Sequence, residues 1–441
     1  MNAALRRSFV VVAGALASSA FADDPKPETP QESKPPAQPE AAAAAQAQAD
    51  AAPATIQPAG SSDDLNQEID TARPRPAGIL PNGPVSILDR WMDSLNDRTE
   101  ESIGLKFGAA YTTVYQRATD GDEKDAVGAD ADLFARWRAL GGEKDGTRSI
   151  IGVYGEYRHD FGEPVPKDLS NQYGGLWRTT NGFGLQDPEL VQAWWEQHLF
   201  RDNLVVTLGK LDVDNFYNKY RYQSDSTAFM SQAFSSNPAR KHPGNGLGIN
   251  GLYRIGEAWY VTAGVHDANG NKAKSGFHTI DEHDFFTAAE VGWTPTFDNL
   301  GKGNYSMEFW HTDAATIEGF RSDQGVALSC EQELGKKWVP FFRASYSEGN
   351  ATGVDYLVEG GLGLEGVLRG KEDLTGIGLA WGRPDQITAR DQLGAEVFHR
   401  FQLTPDIQFT VGYQYIVDPS FAPTDNHDPV GVWEIRARIQ F

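Results

Sequence analysis

From Ile103 to Phe441 the sequence alternates apolar and polar residues with a period of two, in segment after segment. Successive side chains of a β-strand point to opposite faces, so this period predicts strands throughout. In the first segment Ile103, Leu105, Phe107, Ala109, Tyr111 and Tyr115 share one parity. Gly104, Lys106, Gly108, Thr112 and Gln116 take the other. The second sets Leu133, Ala135 and Trp137 against Asp130, Asp132, Arg136 and Arg138, and the third sets Ile151, Val153 and Tyr157 against Glu156 and Arg158. A soluble sandwich or a barrel with a greasy outside and a wet inside would both read this way.

The number of segments and the spacing between them favour the barrel. Thirteen further segments are predicted as strands: 189–200, 204–211, 246–255, 258–266, 284–294, 304–312, 324–333, 338–347, 354–366, 374–382, 392–403, 406–417 and 431–441, which makes sixteen in all. Tight links (201–203, 256–257, 335–337, 404–405) alternate with long ones (162–188, 212–245, 267–283, 418–430). Short turns on one side and long loops on the other are expected of a transmembrane antiparallel β-barrel. The links 140–148, 295–303 and 367–373 are intermediate in length. No run of about 20 apolar residues occurs, so no membrane-spanning helix is expected, and this is compatible with a chain that crosses a bilayer as strands. The final strand places Trp433, Ile435, Ala437, Ile439 and Phe441 on one face and Glu434, Arg436, Arg438 and Gln440 on the other. A terminal aromatic on such a strand resembles the address read by the outer-membrane insertion machinery, an expected partner along with the outer-membrane lipids.

Before the barrel come three different compositions. Arg6 and Arg7, the apolar run Phe9–Ala17 and the small-residue pattern Ala20-Phe21-Ala22 form a signal peptide with cleavage expected after Ala22. Residues 23–84 hold half of the 24 prolines together with the tract Ala41–Ala45, and are expected to be a disordered periplasmic linker that could also contact the cell wall. Residues 85–102 are expected to hold a short amphipathic helix, since Val85, Leu88, Met92 and Leu95 recur at helical spacing beside Trp91.

The formal net charge of −22 argues against nucleic acid as a partner. A single cysteine, Cys330, excludes an internal disulfide, and it shares the apolar parity of Val326 and Leu328. No Gly-x-Ser-x-Gly elbow, His-Glu-x-x-His pair or phosphate-binding glycine loop is present, so the chain is not expected to be an enzyme or to hold a cofactor. Two loop segments carry metal-ligand residue types: His278, Asp281, Glu282 and His283, and the run Asp267-Ala-Asn269-Gly-Asn271. The first matches no established spacing, and the second has His278 where a calcium loop needs glutamate, so no metal site is assigned.

The most informative segment follows the strand ending at Leu211. It reads Gly-Lys-Leu-Asp at 209–212, then a Phe/Tyr and Asn cluster through Tyr220, Gln232-Ala233-Phe234 and Asn237-Pro238. With the closing strand 431–441, these pieces resemble the carbohydrate-selective porins of the OprB type over most of residues 86–441, while the Pro/Ala-rich linker lies outside that pattern. The resemblance implies a sixteen-stranded diffusion channel for small carbohydrates, narrowed by inward-folded loops. Hydroxyl-rich solutes need paired donors and acceptors together with flat apolar faces. Lys210, Asp212, Asp214, Asn215, Asn218, Lys219 and Arg221 offer the first, and Phe216, Tyr217 and Tyr220 the second. On the wall, Arg136, Arg138, Glu156, Arg158, Glu290, Glu308, Arg343, Glu396 and Arg400 have lumen parity. The same charged loop residues could instead hold the loop against the wall. A general or ion-selective porin, or a barrel anchored to the cell wall through the linker, are the alternatives, and the sequence leaves open a monomer or a homotrimer.

Overall fold

A computed structural model of the protein describes residues 78–81, 83–142, 146–367, 370–423 and 426–441. The signal peptide and nearly all of the linker expected from the sequence lie outside these residues. Helix α1 (Ser86–Ile103) comes first, and Gly104, at a left-handed φ of 75°, ends it by donating its N–H to the carbonyls of Glu100 and Thr99. Ile103 and Gly104, expected at the start of the first strand, are therefore the last helical residue and its cap.

The strands follow in order: β1 (Leu105–Ala118), β2 (Asp125–Gly142), β3 (Thr147–Asp160), β4 (Gln186–Leu199), β5 (Leu204–Leu211), β6 (Gly246–Ile255), β7 (Trp259–Asp267), β8 (Phe285–Trp293), β9 (Thr296–Phe297), β10 (Gly301–Thr312), β11 (Asp323–Gln332), β12 (Trp338–Ser347), β13 (Val354–Glu365), β14 (Leu374–Pro384), β15 (Gln392–Thr404), β16 (Ile407–Val417) and β17 (Val430–Gln440). Each pairs antiparallel with its neighbours, and β1 pairs with β17 from Ala110↔Gln440 to Ala118↔Val432, which closes the sheet. The two-residue β9 pairs only with β10, inside the turn after β8, so sixteen strands make the wall. That small hairpin accounts for the intermediate length of the 295–303 link. The 140–148 link is shorter than expected because β2 and β3 extend to Gly142 and Thr147.

Closure satisfies backbone groups that an open edge would leave bare in lipid. The last β17-side rung is Ala109 with Phe441, which exchange N–H···O bonds of 3.1 and 2.8 Å. The next pair of β17-facing backbone groups on β1 belongs to Phe107, beyond the β1–β17 register. Asn96 of α1 meets it, accepting from Phe107 N and donating to Phe107 O at 2.8 Å each.

Burial is inverted relative to a soluble protein. Leu133, Leu379 and Trp433 are 67%, 66% and 60% exposed, whereas Asp132, Glu308 and Arg438 are buried. The outward apolar face matches a lipid-facing belt. At the short-turn end it carries the outward indoles of Trp137, Trp195, Trp259 and Trp338, and Trp259 stacks on Trp293 at 5.8 Å. The inner face is not uniformly wet. Phe134, Trp194, Phe286, Trp310, Phe341 and Phe398 also point inward and are buried, because two long loops fold into the lumen and pack on them.

Candidate functional site

The loop joining β5 to β6, residues 212–245, enters the barrel and is fastened to the wall along its length. At its start the carboxylate of Asp212 accepts from Asp214 N at 2.9 Å, forming a tight turn. Asn215 donates to Gln192 Oε1 at 3.0 Å, and the Tyr217 hydroxyl and the Asn250 side-chain amide hydrogen-bond at 2.6 Å. Asn218 N donates to Glu290 at 2.6 Å, and Glu290 also accepts from Tyr260 at 2.8 Å. The carbonyl of Lys219 accepts from Asn304 at 3.1 Å. Arg221 pairs with Glu333 at 2.5 Å and Glu365 at 2.8 Å, while its N–H donates to Glu331 at 3.0 Å.

Further along, Met230 N and Ser231 N both donate to the Glu396 carboxylate at 2.8 Å. Arg400 donates to the carbonyl of Thr227 at 2.8 Å, and Arg436 to those of Asp225 and Ala228. Arg343 pairs with Glu359 at 2.5 Å and donates to Asn218 Oδ1 and to the carbonyl of Ser236. The central link is Arg240, which bridges Glu308 at 2.8 Å and Asp214 at 2.6 Å. It meets a wall position where Glu290 and Glu308 stand directly opposite across β8 and β10, a like-charge juxtaposition that destabilises a bare sheet. Burial raises the Asp214 carboxyl's pKa, but the contacts from His242 and Arg240 outweigh it and hold the group well below the usual carboxylate range.

Aromatic packing completes the docking. Tyr220, Tyr222, Phe229 and Phe234 from the loop join Phe341 and Phe398 from the wall in one buried cluster, with Phe229 4.9 Å from both Phe234 and Phe398. Burying each ring contributes about 1.5–3 kcal/mol relative to exposure. Gly363 and Gly378 on the wall make room for it. A Cβ at Gly363 would lie 2.0 Å from the Tyr222 ring, and one at Gly378 would lie 2.8 Å from Phe234.

This geometry revises the roles expected of the site residues. Phe216, Tyr217 and Tyr220 are buried, so their ring faces meet the protein and not a solute. Glu290, Glu308, Arg343 and Glu396, expected on the open lumen wall, lie under the loop with 2% exposure or less. Lys210 is also buried and donates to the carbonyls of Leu190 and Lys272. Arg138 reaches Glu100 of α1 at 3.8 Å. Arg136 makes no ion pair with any described residue.

A second loop, residues 161–185, enters beside the first. Gln116 and Gln414 hold the carbonyl of Thr179 at 3.2 and 2.7 Å, and Leu176 N donates to Gln392 at 2.8 Å. The two loops clasp each other. Arg178 N donates to Gln232 Oε1 at 3.1 Å and Gln232 N to the carbonyl of Arg178 at 3.0 Å. The Asp225 carboxylate accepts from Thr180 and from Gly182 N. A third loop, 268–284, sends Lys272 to Glu156 at 3.1 Å, where Arg158 also binds both Glu156 and Asp130.

Around this junction stand side chains that sequence reasoning did not single out. Lys167 and Arg178 make no ion pair or side-chain hydrogen bond with any described residue. Burial, and then the charges of Arg178, Arg158 and Lys272, push the Lys167 ammonium down to about 8. Nearby, Asp130, Asp132 and Glu156 gather ligand-type oxygens within 4.8 Å, but Arg158, Lys272 and Tyr154 already bind them. In the loop segments considered for metal, Asp267 braces Asn269 N and Thr279, and Asn269 and Thr316 bind Asp284. The available signal for Arg240 was indirect, in the excess of inward glutamates on β8 to β13 that some cation had to meet.

A closed wall of sixteen strands thus surrounds loops that fold inward and narrow the interior. No curated protein matches the sequence. In fold the chain is similar to Pseudomonas putida OprB. The high-pH structure is 17% identical with a TM-score of 0.65, covering 79% of this chain and 97% of that one. The low-pH structure is 14% identical with a TM-score of 0.52, covering 79% and 96%. The model of the carbohydrate-selective porin, OprB family, matches residues 159–441, and the protein with the doubly clasped loops described above belongs to that family of outer-membrane porins.

Proposed function

We propose that the channel passes carbohydrates and similar small polar solutes by passive diffusion, with the short-turn end and the linker in the periplasm. The observation that carries this reading is the junction of the 161–185 and 212–245 loops inside the barrel. Their outer surfaces are packed on the wall, and polar groups at their meeting point stay partly exposed: Arg178, Lys167 and Asp225, with Lys272 of the third loop close to Lys167. Several weak hydrogen-bonding contacts of mixed sign let a hydroxyl-rich solute enter and still leave. Among the residues expected from the sequence, Asp212, Asp214, Asn215, Lys219, Arg221, Arg136 and Arg158 keep partial exposure and belong to the proposed lining. Glu156, Glu290, Glu308 and Arg343 support it from behind.

Swelling of liposomes in a graded series of sugars, together with single-channel recording, tests the proposal. A carbohydrate-selective channel admits certain monosaccharides faster than their size predicts and shows sugar-dependent block. Permeation ranked by size alone, with no block by any sugar, would leave a general porin.

A further inference from the structure

At about 100° per residue, α1 divides into three faces. One holds Asp89, Asp93, Asn96 and Glu100 and is joined to the barrel, through Asn96 to Phe107 and through Glu100 to Lys106 at 3.0 Å. A second holds Arg90, Asp97 and Glu101 and is exposed. The third holds Ile87, Leu88, Trp91, Met92 and Leu95, and nothing described in the protein covers its outer part. Ile87, Leu88 and Trp91 are 75%, 46% and 58% exposed. A helix that served only to seal the seam between β1 and β17 would need the first face and no apolar one.

The surroundings indicate what covers that third face. The helix ends at Ile103, 58% exposed, whose carbonyl accepts from the outward indole of Trp137 at 2.9 Å. The apolar face of α1 therefore continues into the lipid-facing belt at the short-turn end, where the outward tryptophans lie. Indoles concentrate at the headgroup level, where one edge is apolar and the other wet. Trp91 adds one more to that layer. Arg98 lies beside Trp91 on the wheel, exposed and bonded to Ser94 at 3.0 Å, within reach of a lipid phosphate.

We propose that α1 is an interfacial helix, its Ile87–Leu88–Trp91 face lying in the phospholipid headgroup layer around the short-turn rim while Asn96 fastens it to the barrel seam. An amphipathic helix so placed buries its apolar side at the boundary of headgroup and acyl chain and leaves its charged side in water. The device would fix how deeply the barrel sits and close the weak edge of β1 at once. Because the leaflet is recognised by apolar contact and phosphate charge, the proposal does not depend on what the channel carries.

The test uses the full chain with Cys330→Ala, refolded into vesicles of phosphatidylethanolamine and phosphatidylglycerol. Single cysteines at Ile87→Cys, Leu88→Cys, Trp91→Cys, Asp97→Cys and Glu101→Cys carry a nitroxide, and correct folding is checked by the gel shift of the unheated barrel. The ratio of collision with oxygen to collision with a water-soluble nickel chelate should be several-fold higher at the first three positions than at the last two. Equal access of nickel to all five would overturn the proposal, as would protection from both reagents at the first three. In the latter case dipolar broadening identifies a second copy as the cover, and its absence identifies the preceding segment of the same chain.

Discussion

The two loops that meet inside the barrel solve the same problem in different ways. In the 212–245 loop, Arg221 and Arg240 have carboxylate partners on the wall, and wall cations and glutamates bind its backbone in turn. In the 161–185 loop the backbone is held by neutral amides, Gln116, Gln414 and Gln392, while Lys167 and Arg178 are left without partners among the described residues. Arg221 and Arg240 spend their charge on the position of the first loop, whereas Lys167 and Arg178 of the second keep theirs available to a passing solute. Residue type alone does not distinguish a pore-lining cation from a fastening one; the difference lies in what faces it.

The comparison can be broken most severely at Arg240. Arg240→Ala leaves Glu308 buried without its partner, and such losses cost about 3–5 kcal/mol. Urea unfolding in micelles should show that drop, accompanied by open-channel noise as the 212–245 loop detaches. Arg240→Lys should recover only part of it, because an ammonium cannot hold two carboxylates in the guanidinium's planar geometry. Full stability and quiet channels in Arg240→Ala would refute the fastening role.

A smaller effect is expected at the clasp. Asp225→Ala removes a charged acceptor from Thr180 and Gly182, worth about 1.5–3 kcal/mol, and should loosen the 161–185 loop while leaving the wall contacts of its neighbour in place. Hydrogen exchange should quicken at residues 179–182 and not at the Glu396-bound amides of Met230 and Ser231. Quickening in both loops alike would mean that they move as one unit.

Smallest in stability, and most informative about selectivity, is Lys167→Gln. An unpaired loop cation can be neutralised at a cost within about 0.5 kcal/mol, yet the reversal potential in a salt gradient should shift toward cations. In the unaltered protein, raising the pH through about 8 deprotonates Lys167 and should produce the same shift. The variant should lose that pH dependence; a titration unchanged by the substitution would place the responsible group elsewhere.

Much of the wall was legible in the sequence, because period-two patterning is a local property. The limits of β5, β6 and β12 fall where the alternation places them, and Cys330 takes the outward parity of Val326 and Leu328. The site was less legible. Parity assigns Glu308 and Arg343 to the inner face, but it contains nothing about height or about which loop residue comes to lie against them. Those pairings join distant parts of the chain: Arg221 meets Glu365 across 144 residues and Arg240 meets Glu308 across 68. The aromatic run Phe216–Tyr220 looked available to a sugar for the same reason, since a flat ring in a loop reads alike whether it faces a solute or the glycine-lined wall.

The pairing of β1 with β17 has a consequence for assembly. Thr113 bonds to Ala437 across 324 residues, so the seam is among the least local contacts in the chain, and contacts of this kind form slowly because the loop they close is so long. Every other strand can pair with a neighbour already made, whereas β1 must wait with one edge bare until the final segment arrives. During that wait α1 occupies only the rung at Phe107. The remaining bare edge stays open to pairing with a wrong strand until the last strand docks.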